Sequence, residues 1–335
     1  MNKQLLDPDA VRKSISLALE QDFDIDAAIK RVNGFLANLP AQQIFVRKNR
    51  GSYVFYQSID GNMQYMPKTT PLLYKLCRRQ YLEYVLDVLE LKNELKSCTN
   101  NSSRKINTVY RDLDNAKSQI NLFIEKCARG NLDIARIVLS GKQYRWYSGR
   151  FIKKAINKGN AYTTGNDIAM RSKSERDIGN IYESLAVPYH YEEHLSLFVH
   201  PLIIKFEEML RSNNQLSNYL YYRKDNRCIW KVPAEYEWMN SAGSIWKTYQ
   251  PNSGKISMFN DFRIMLADSS FIIHEHEGMA DEFKYRCNAS ERVFILEMSK
   301  EIERNNIFYT FEDEVSNREH FRDMVVKKIL PRLWF

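Results

Sequence analysis

In Phe271-Ile-Ile-His-Glu-His-Glu-Gly-Met279 an apolar run of strand character ends abruptly in two acids and two histidines. Upstream, a second apolar run, residues 256–267, is interrupted by one acid, Asp261. Burying a lone charge is costly, so acids in such places are paired, solvent-facing or metal-bound. Asp261 and Glu275 stand fourteen residues apart, room for two strands and the turn Ala267-Asp-Ser-Ser270. The spacing predicts adjacent antiparallel strands with both carboxylates on one side, the layout of a two-carboxylate Mg2+ (or Mn2+) site.

Alternation along the strand puts Glu277 on the face of Glu275, and His274 on the face of His276. Glu277 is then either a third acid near the ion or a solvated strand-end residue. His276 either bends round at the strand end to act as base or phosphate ligand, or pins the turn at Gly278. A His-x-His pair could begin a zinc site, but no third ligand stands at a telling spacing. Glu192 and Glu193, in Tyr189-His-Tyr-Glu-Glu-His194, are a further carboxylate source or a solvated strand edge.

Outward from this centre, the periodicity predicts helices over residues 7–37, 71–95, 104–139 (split near Gly130), 172–185, 202–211, 282–304 and 317–329. β-rich segments at 43–56 and 58–65, with Asn-Arg-Gly and Asp-Gly turns, predict a small antiparallel sheet. Strands are expected at 187–197 and 307–311 as well. The polar run at 97–103 reads as a linker, and residues 198–255 as an insertion. The order is that of a mixed α/β core.

The five cysteines are scattered, which argues against a disulfide framework or zinc ribbon and for a reducing, cytoplasmic setting. No apolar run approaches the ~18 residues of a membrane span, and the N-terminus is not expected to be a signal peptide. Charge is uneven: residues 41–158 hold 22 Lys/Arg against 9 Asp/Glu, whereas the whole chain holds 49 against 41. A basic block beside an acidic one points to a polyanionic partner for the first, nucleic acid above all. Within it, residues 141–158 carry Arg145, Arg150, Lys153, Lys154 and Lys158 among interleaved aromatics and no acid. Such cations grip phosphates and such rings stack on bases, unless the aromatics simply pack inward. Arg47, Lys48 and Arg50, beside Tyr53, Phe55 and Tyr56, form a second candidate patch.

Five motifs in order carry a family resemblance: Arg171-Ser-Lys-Ser-Glu175, Asn260-Asp-Phe262, His274-Glu-His-Glu-Gly-Met279, Tyr285-Arg-Cys-Asn-Ala289 and Thr310-Phe-Glu312. They resemble a nuclease-like domain of bacterial proteins in the PD-(D/E)xK superfamily, over residues ~160 to ~315. The N-terminal β-rich segment and the helix after it resemble the small arm-binding modules of phage-type integrases. The resemblance implies a restriction-endonuclease-like core behind a helical and small-β N-terminal region, and cleavage of DNA with Mg2+. It places Glu175, Asp261 and Glu275 at the active centre. It also departs: Asn260 replaces proline, His274 replaces tryptophan, and Glu277 stands where the superfamily has its lysine. Lys173 is the candidate substitute for that lysine. Ser172 and Glu175 also spell a helix capping box, a competing use for Glu175.

The expected organisation is a nucleic-acid-binding region over 1–96, a helical linker region with the basic block over 97–158, and the nuclease-like core over 159–335. The 198–255 insertion is the expected place for a homo-oligomer or partner-protein contact. The alternative function is a decayed nuclease fold used for nucleic-acid binding or assembly.

Overall fold

A computed structural model describes residues 5–98, 103–149, 162–199, 222–224, 227–229, 254–278 and 301–335, with residues 292, 296 and 299. The chain is a mixed helix and strand protein. The first helical stripe divides in two. α1 (Pro8–Glu20) starts at Asp7, whose carboxylate accepts from Ala10 N at 2.9 Å, with proline at its first position. α2 (Ile25–Leu36) starts likewise at Asp24, which accepts from Ala27 N at 2.9 Å. That second cap is why one continuous helix over 7–37 does not form.

β1 (Ile44–Asn49), β2 (Ser52–Ile59) and β3 (Asn62–Tyr65) make the expected antiparallel sheet. Both turns place their two central residues at positive φ, Arg50 and Gly51 at 48° and 87°, Asp60 and Gly61 at 48° and 81°. This is the twist-matched hairpin geometry. α3 (Pro71–Ser97) packs against α2 and α4 (Ser103–Arg129). Gly130 ends α4 against the sheet, where an added Cβ would lie 2.6 Å from the buried Phe55 ring. Two short helices follow, α5 (Ala135–Val138) and α6 (Gly141–Ser148), the latter opened by a Ser140–Gln143 capping box.

The second half runs β4 (Tyr162–Thr163), β5 (Ala169–Met170), α7 (Lys173–Ser184), β6 (His190–Tyr191), β7 (His194–Val199), β8 (Tyr222–Lys224), β9 (Arg227–Ile229), β10 (Gly254–Phe259), β11 (Phe262–Met265), β12 (Phe271–Glu277), β13 (Ile307–Phe311), α8 (Glu312–Ser316), α9 (Arg318–Lys328) and α10 (Leu330–Trp334). The central sheet has the order β13-β12-β11-β6, with β12 parallel to β13 and β11 antiparallel to both its neighbours. The strand expected over 187–197 is broken: Glu192 has φ +51° and separates β6 from β7. The run over 256–267 breaks opposite it, at Asn260 and Asp261. Two bonds stitch the facing kinks, Glu192 N to Asp261 O at 3.0 Å and Asn260 N to Glu193 O at 3.3 Å. β7 and β10 pair beyond the break, so the ends of the expected insertion join a sheet of their own.

The core of this half is aromatic. Phe262 stacks on the His274 ring at 5.4 Å, and Tyr182 from α7 meets Phe262 edge-on at 5.5 Å. The N-terminal helices share this interior. Trp334 Nε1 donates to Ser14 Oγ at 2.9 Å, and Arg31 Nε to Phe335 O at 3.0 Å. The buried Gln143 amide donates to Met265 O at 3.1 Å and Leu333 O at 3.2 Å. No helix among the described residues is long and apolar enough to cross a membrane.

Candidate active site

β11 and β12 pair with Phe262 opposite His274, so the next residues outward, Asp261 and Glu275, face one another across the ladder. Asp261 sits at the kink before β11 rather than within a strand. A break of this kind re-aims a side chain, and here it turns the carboxylate along the sheet edge. Asp261 Oδ2 accepts from His276 N at 2.8 Å. Its other oxygen, Oδ1, lies 3.4 Å from Arg292 Nη2, and the same nitrogen contacts Glu275 Oε2. The two expected carboxylates therefore converge on one cation, and that cation is a side chain. Glu275 Oε1 is buried without a hydrogen-bond partner, as are both side-chain polar atoms of Asn260.

Burial, with Asp261 adding repulsion, pushes the Glu275 carboxyl well above the usual range despite Arg292. Glu277 is buried too. Burial above all, against Arg292 and with Asp261 adding repulsion, brings its carboxyl up to about 7. It belongs to the acidic cluster rather than to a solvated strand end. Arg292 is the converse case: burial disfavours its charge, but Glu275, Asp261 and Glu277 together hold it on.

Glu175 closes the capping box and meets the acidic cluster only through Arg171. Its Oε2 closes the capping box, accepting from Ser172 N at 2.8 Å, and also takes Arg171 N at 3.0 Å and the Tyr191 hydroxyl at 2.8 Å. Its Oε1 faces Arg171 Nη2 at 3.7 Å. That guanidinium reaches Asp261 Oδ1 at 3.5 Å and Glu192 Oε1 at 2.6 Å. Glu192 is thus a partner of the cluster, not a solvated edge.

Lys173 does not join the cluster, and of the two uses open to His276 the one at the Gly278 turn is found. Lys173, one turn position beyond the cap, is exposed and makes no ion pair with Asp261, Glu275 or Glu277. The first turn of α7 points Glu175 inward and Lys173 out, while exposed Arg171, ahead of the cap, reaches across to Asp261. His276 does not bend round toward Glu275. Its Nδ1 lies 3.1 Å from Thr310 Oγ1 and its Nε2 3.2 Å from Glu312 Oε2, because regular alternation holds it on the opposite face. There it abuts Gly278, whose added Cβ would lie 3.2 Å from His276 Nε2. His274 shares that face, bonded to Thr310 Oγ1 at 2.8 Å and Tyr182 OH at 2.6 Å. Burial, and then His276, hold its pKa well below the usual value, so it is a neutral core imidazole. Among the described residues no group of three or more His, Cys, Asp or Glu forms a metal-holding cluster.

The basic patches divide. Arg47 is exposed, its guanidinium 5.7 Å above the Tyr56 ring, beside exposed Phe45 and Tyr65 on the outer face of the small sheet. Lys48, one residue on, points to the other face, and Arg50 sits in the turn. In the 141–158 block the described aromatics pack inward: Tyr147 is buried, Trp146 stacks on His190 at 3.9 Å, and Tyr144 bonds Asp133 at 3.0 Å. Tyr147 and Trp146 are thereby closed to bases, whereas Tyr144, half-buried, lines a cavity. Arg145 is exposed, while Arg150, Lys153, Lys154 and Lys158 lie outside the described residues, as do the Tyr285–Ala289 motif and the predicted helix over 202–211.

Arg171 and Arg292 carry the site's positive charge, and neither was expected in it. Arg171 had a signal, its place immediately before the capping box; Arg292 lies in a charged segment with nothing to mark it. No protein-family model, no curated protein and no solved structure matches this chain.

Proposed function

We propose that the chain is a metal-dependent nuclease on a PD-(D/E)xK-like core, hydrolysing phosphodiester bonds in DNA. One observation carries the reading: oxygens of Asp261 and Glu275 converge on a single cationic nitrogen while Glu275 Oε1 stays buried and unpartnered. Oxygen-only donors of this kind suit a hard divalent cation, and the Arg292 guanidinium stands where its charge would be. Asp261 and Glu275 would hold Mg2+ or Mn2+, which supplies an activated water and neutralises charge on the scissile phosphate. In such a hydrolysis the water oxygen would join phosphorus as the bond to the leaving oxygen breaks, the proton lost by the water being balanced by the one gained by the leaving oxygen. Arg171 and Arg292 bring positive charge where the family's lysine would stand, held on the same carboxylates until a metal ion takes their place. Arg47 and Arg50 on the small sheet grip the nucleic-acid backbone.

A second reading, a decayed nuclease fold that binds nucleic acid or assembles with a partner, is favoured by Arg292 itself, which already occupies one oxygen of each carboxylate, and by Glu277 at the lysine position. Melting with and without Mn2+, together with cleavage assays on single- and double-stranded DNA, separates the two. The nuclease reading expects a stabilising shift and Mn2+-dependent cleavage, both lost in Asp261→Asn and Glu275→Gln. A wild-type protein with neither response is the decayed form.

A further inference from the structure

A cavity of about 820 Å3 lies where α2, α3, α5 and α6 meet the β11–β12 turn. Arg31, Lys75, Arg78, Arg136, Lys142 and Arg145 line it, against one lining acid, Asp268. Among the described residues none of these six cations makes an ion pair. Elsewhere in the chain, by contrast, Arg12, Arg79, Arg129 and Arg263 all find carboxylates. Asp268 is held to its own turn, its Oδ1 accepting from Ser270 N at 2.9 Å and Ser270 Oγ at 2.7 Å, and it makes no ion pair with any of the six.

Three of the cations are fixed in place. Arg78 is largely buried and donates to the Ile137 carbonyl at 3.1 Å and to the Leu139 carbonyl. Arg136 lies 3.9 Å above the Tyr74 ring and 5.7 Å from that of Tyr144. Arg31 is held by Phe335 O at 3.0 Å. Lys75, Lys142 and Arg145 are exposed around them. Burial pulls the Arg78 pKa down to about 10, the cost of keeping a charge there without a counterion. Preset, unpaired cations around a concave site are complementary to an anion, and the fixed guanidinium planes to phosphate oxygens. Beside them Phe35, Leu39, Leu139 and the rings of Tyr74 and Tyr144 give the lining an apolar wall, with Asn38, Ser140 and Ser269 as neutral polar groups. The volume suits a small ligand; a nucleic-acid strand is gripped along an extended surface instead.

We propose that this cavity binds a phosphorylated small molecule of nucleotide size, its phosphates among the six cations and its ring against the apolar wall. The site shares no residue with the Asp261–Glu275 cluster and does not depend on the nuclease reading.

Calorimetric titration with ATP, GTP and tripolyphosphate, in EDTA so that divalent ions play no part, tests it. A nucleoside triphosphate should bind one per chain, more tightly than tripolyphosphate. The double variant Lys75→Glu/Lys142→Glu, at exposed positions and with an unchanged or raised melting temperature, should bind it at least about tenfold more weakly. Lys13→Glu, at an exposed position of α1 away from the lining, should leave the affinity unchanged. Absence of binding at about 1 mM of all three probes, or an unaltered affinity in the double variant, would overturn the proposal. So would tripolyphosphate binding as tightly as the nucleotides, or binding confined to a single-stranded oligonucleotide.

Discussion

Glu175 divides its work between two oxygens, and the division predicts different costs for neighbouring substitutions. Ser172→Ala removes one cap acceptor and should destabilise the fold by about 1 kcal/mol in urea unfolding. Glu175→Ala leaves Arg171 N, Ser172 N and the Tyr191 hydroxyl without their shared acceptor. It should cost about 2–3 kcal/mol; equal losses for the two variants would show that Glu175 is a cap and nothing more. Arg292 is the other decisive residue. Arg292→Ala strands Asp261, Glu275 and Glu277 together, and should destabilise the metal-free protein by about 3 kcal/mol, the low end for a broken buried pair because the guanidinium is partly exposed. Mn2+ should restore more stability to this variant than to wild type, since it frees the same oxygens; a variant indifferent to Mn2+ would count against a metal site there. The carboxylates of this site were legible because an acid inside an apolar run conflicts with its surroundings. The arginines were not, because a long cationic side chain is unremarkable in a polar segment and finds its partner only through tertiary structure.

Elements were legible where local chemistry sets them. The Asp60-Gly61 turn and the Ser172–Glu175 box follow from residue type alone, and both stand where the spacing put them. The break shared by Glu192 and Asp261 could not be read, because each kink is held by the other's backbone across the sheet. Neither run carries a glycine or proline at the break to announce it. The small sheet has a test of its own. Alternation puts Arg47 on the outer face with exposed Phe45 and Tyr65, and the positive φ of Arg50 lifts it into the turn. If these two arginines grip a nucleic-acid backbone, replacing each with Ala should reduce the slope of log affinity against log salt by about 0.7–0.9 per contact. An unchanged slope in an anisotropy titration removes this face from the interface.

At the scale of the molecule, the described core does not stop at either expected boundary. One cluster of buried apolar residues runs from Leu6 in the first segment to Phe335 in the last. Composition and linker signals suggested separate regions over 1–96, 97–158 and 159–335, because they report polarity along the chain and not which faces meet. The meeting is made by α1, α6 and α10: Trp334 is buried against Ser14, and Gln143 ties α6 to both β11 and α10. Trp334→Ala should therefore open a cavity at a junction, not within one half, and cost about 3–5 kcal/mol. Because α1 packs on α10 and Gln143 ties α10 to β11, the loss should lower one cooperative transition, with far-UV dichroism and aromatic fluorescence moving together. Two transitions, with only one of them shifted by Trp334→Ala, would mean that the halves fold as independent units and that their shared core contributes little to either.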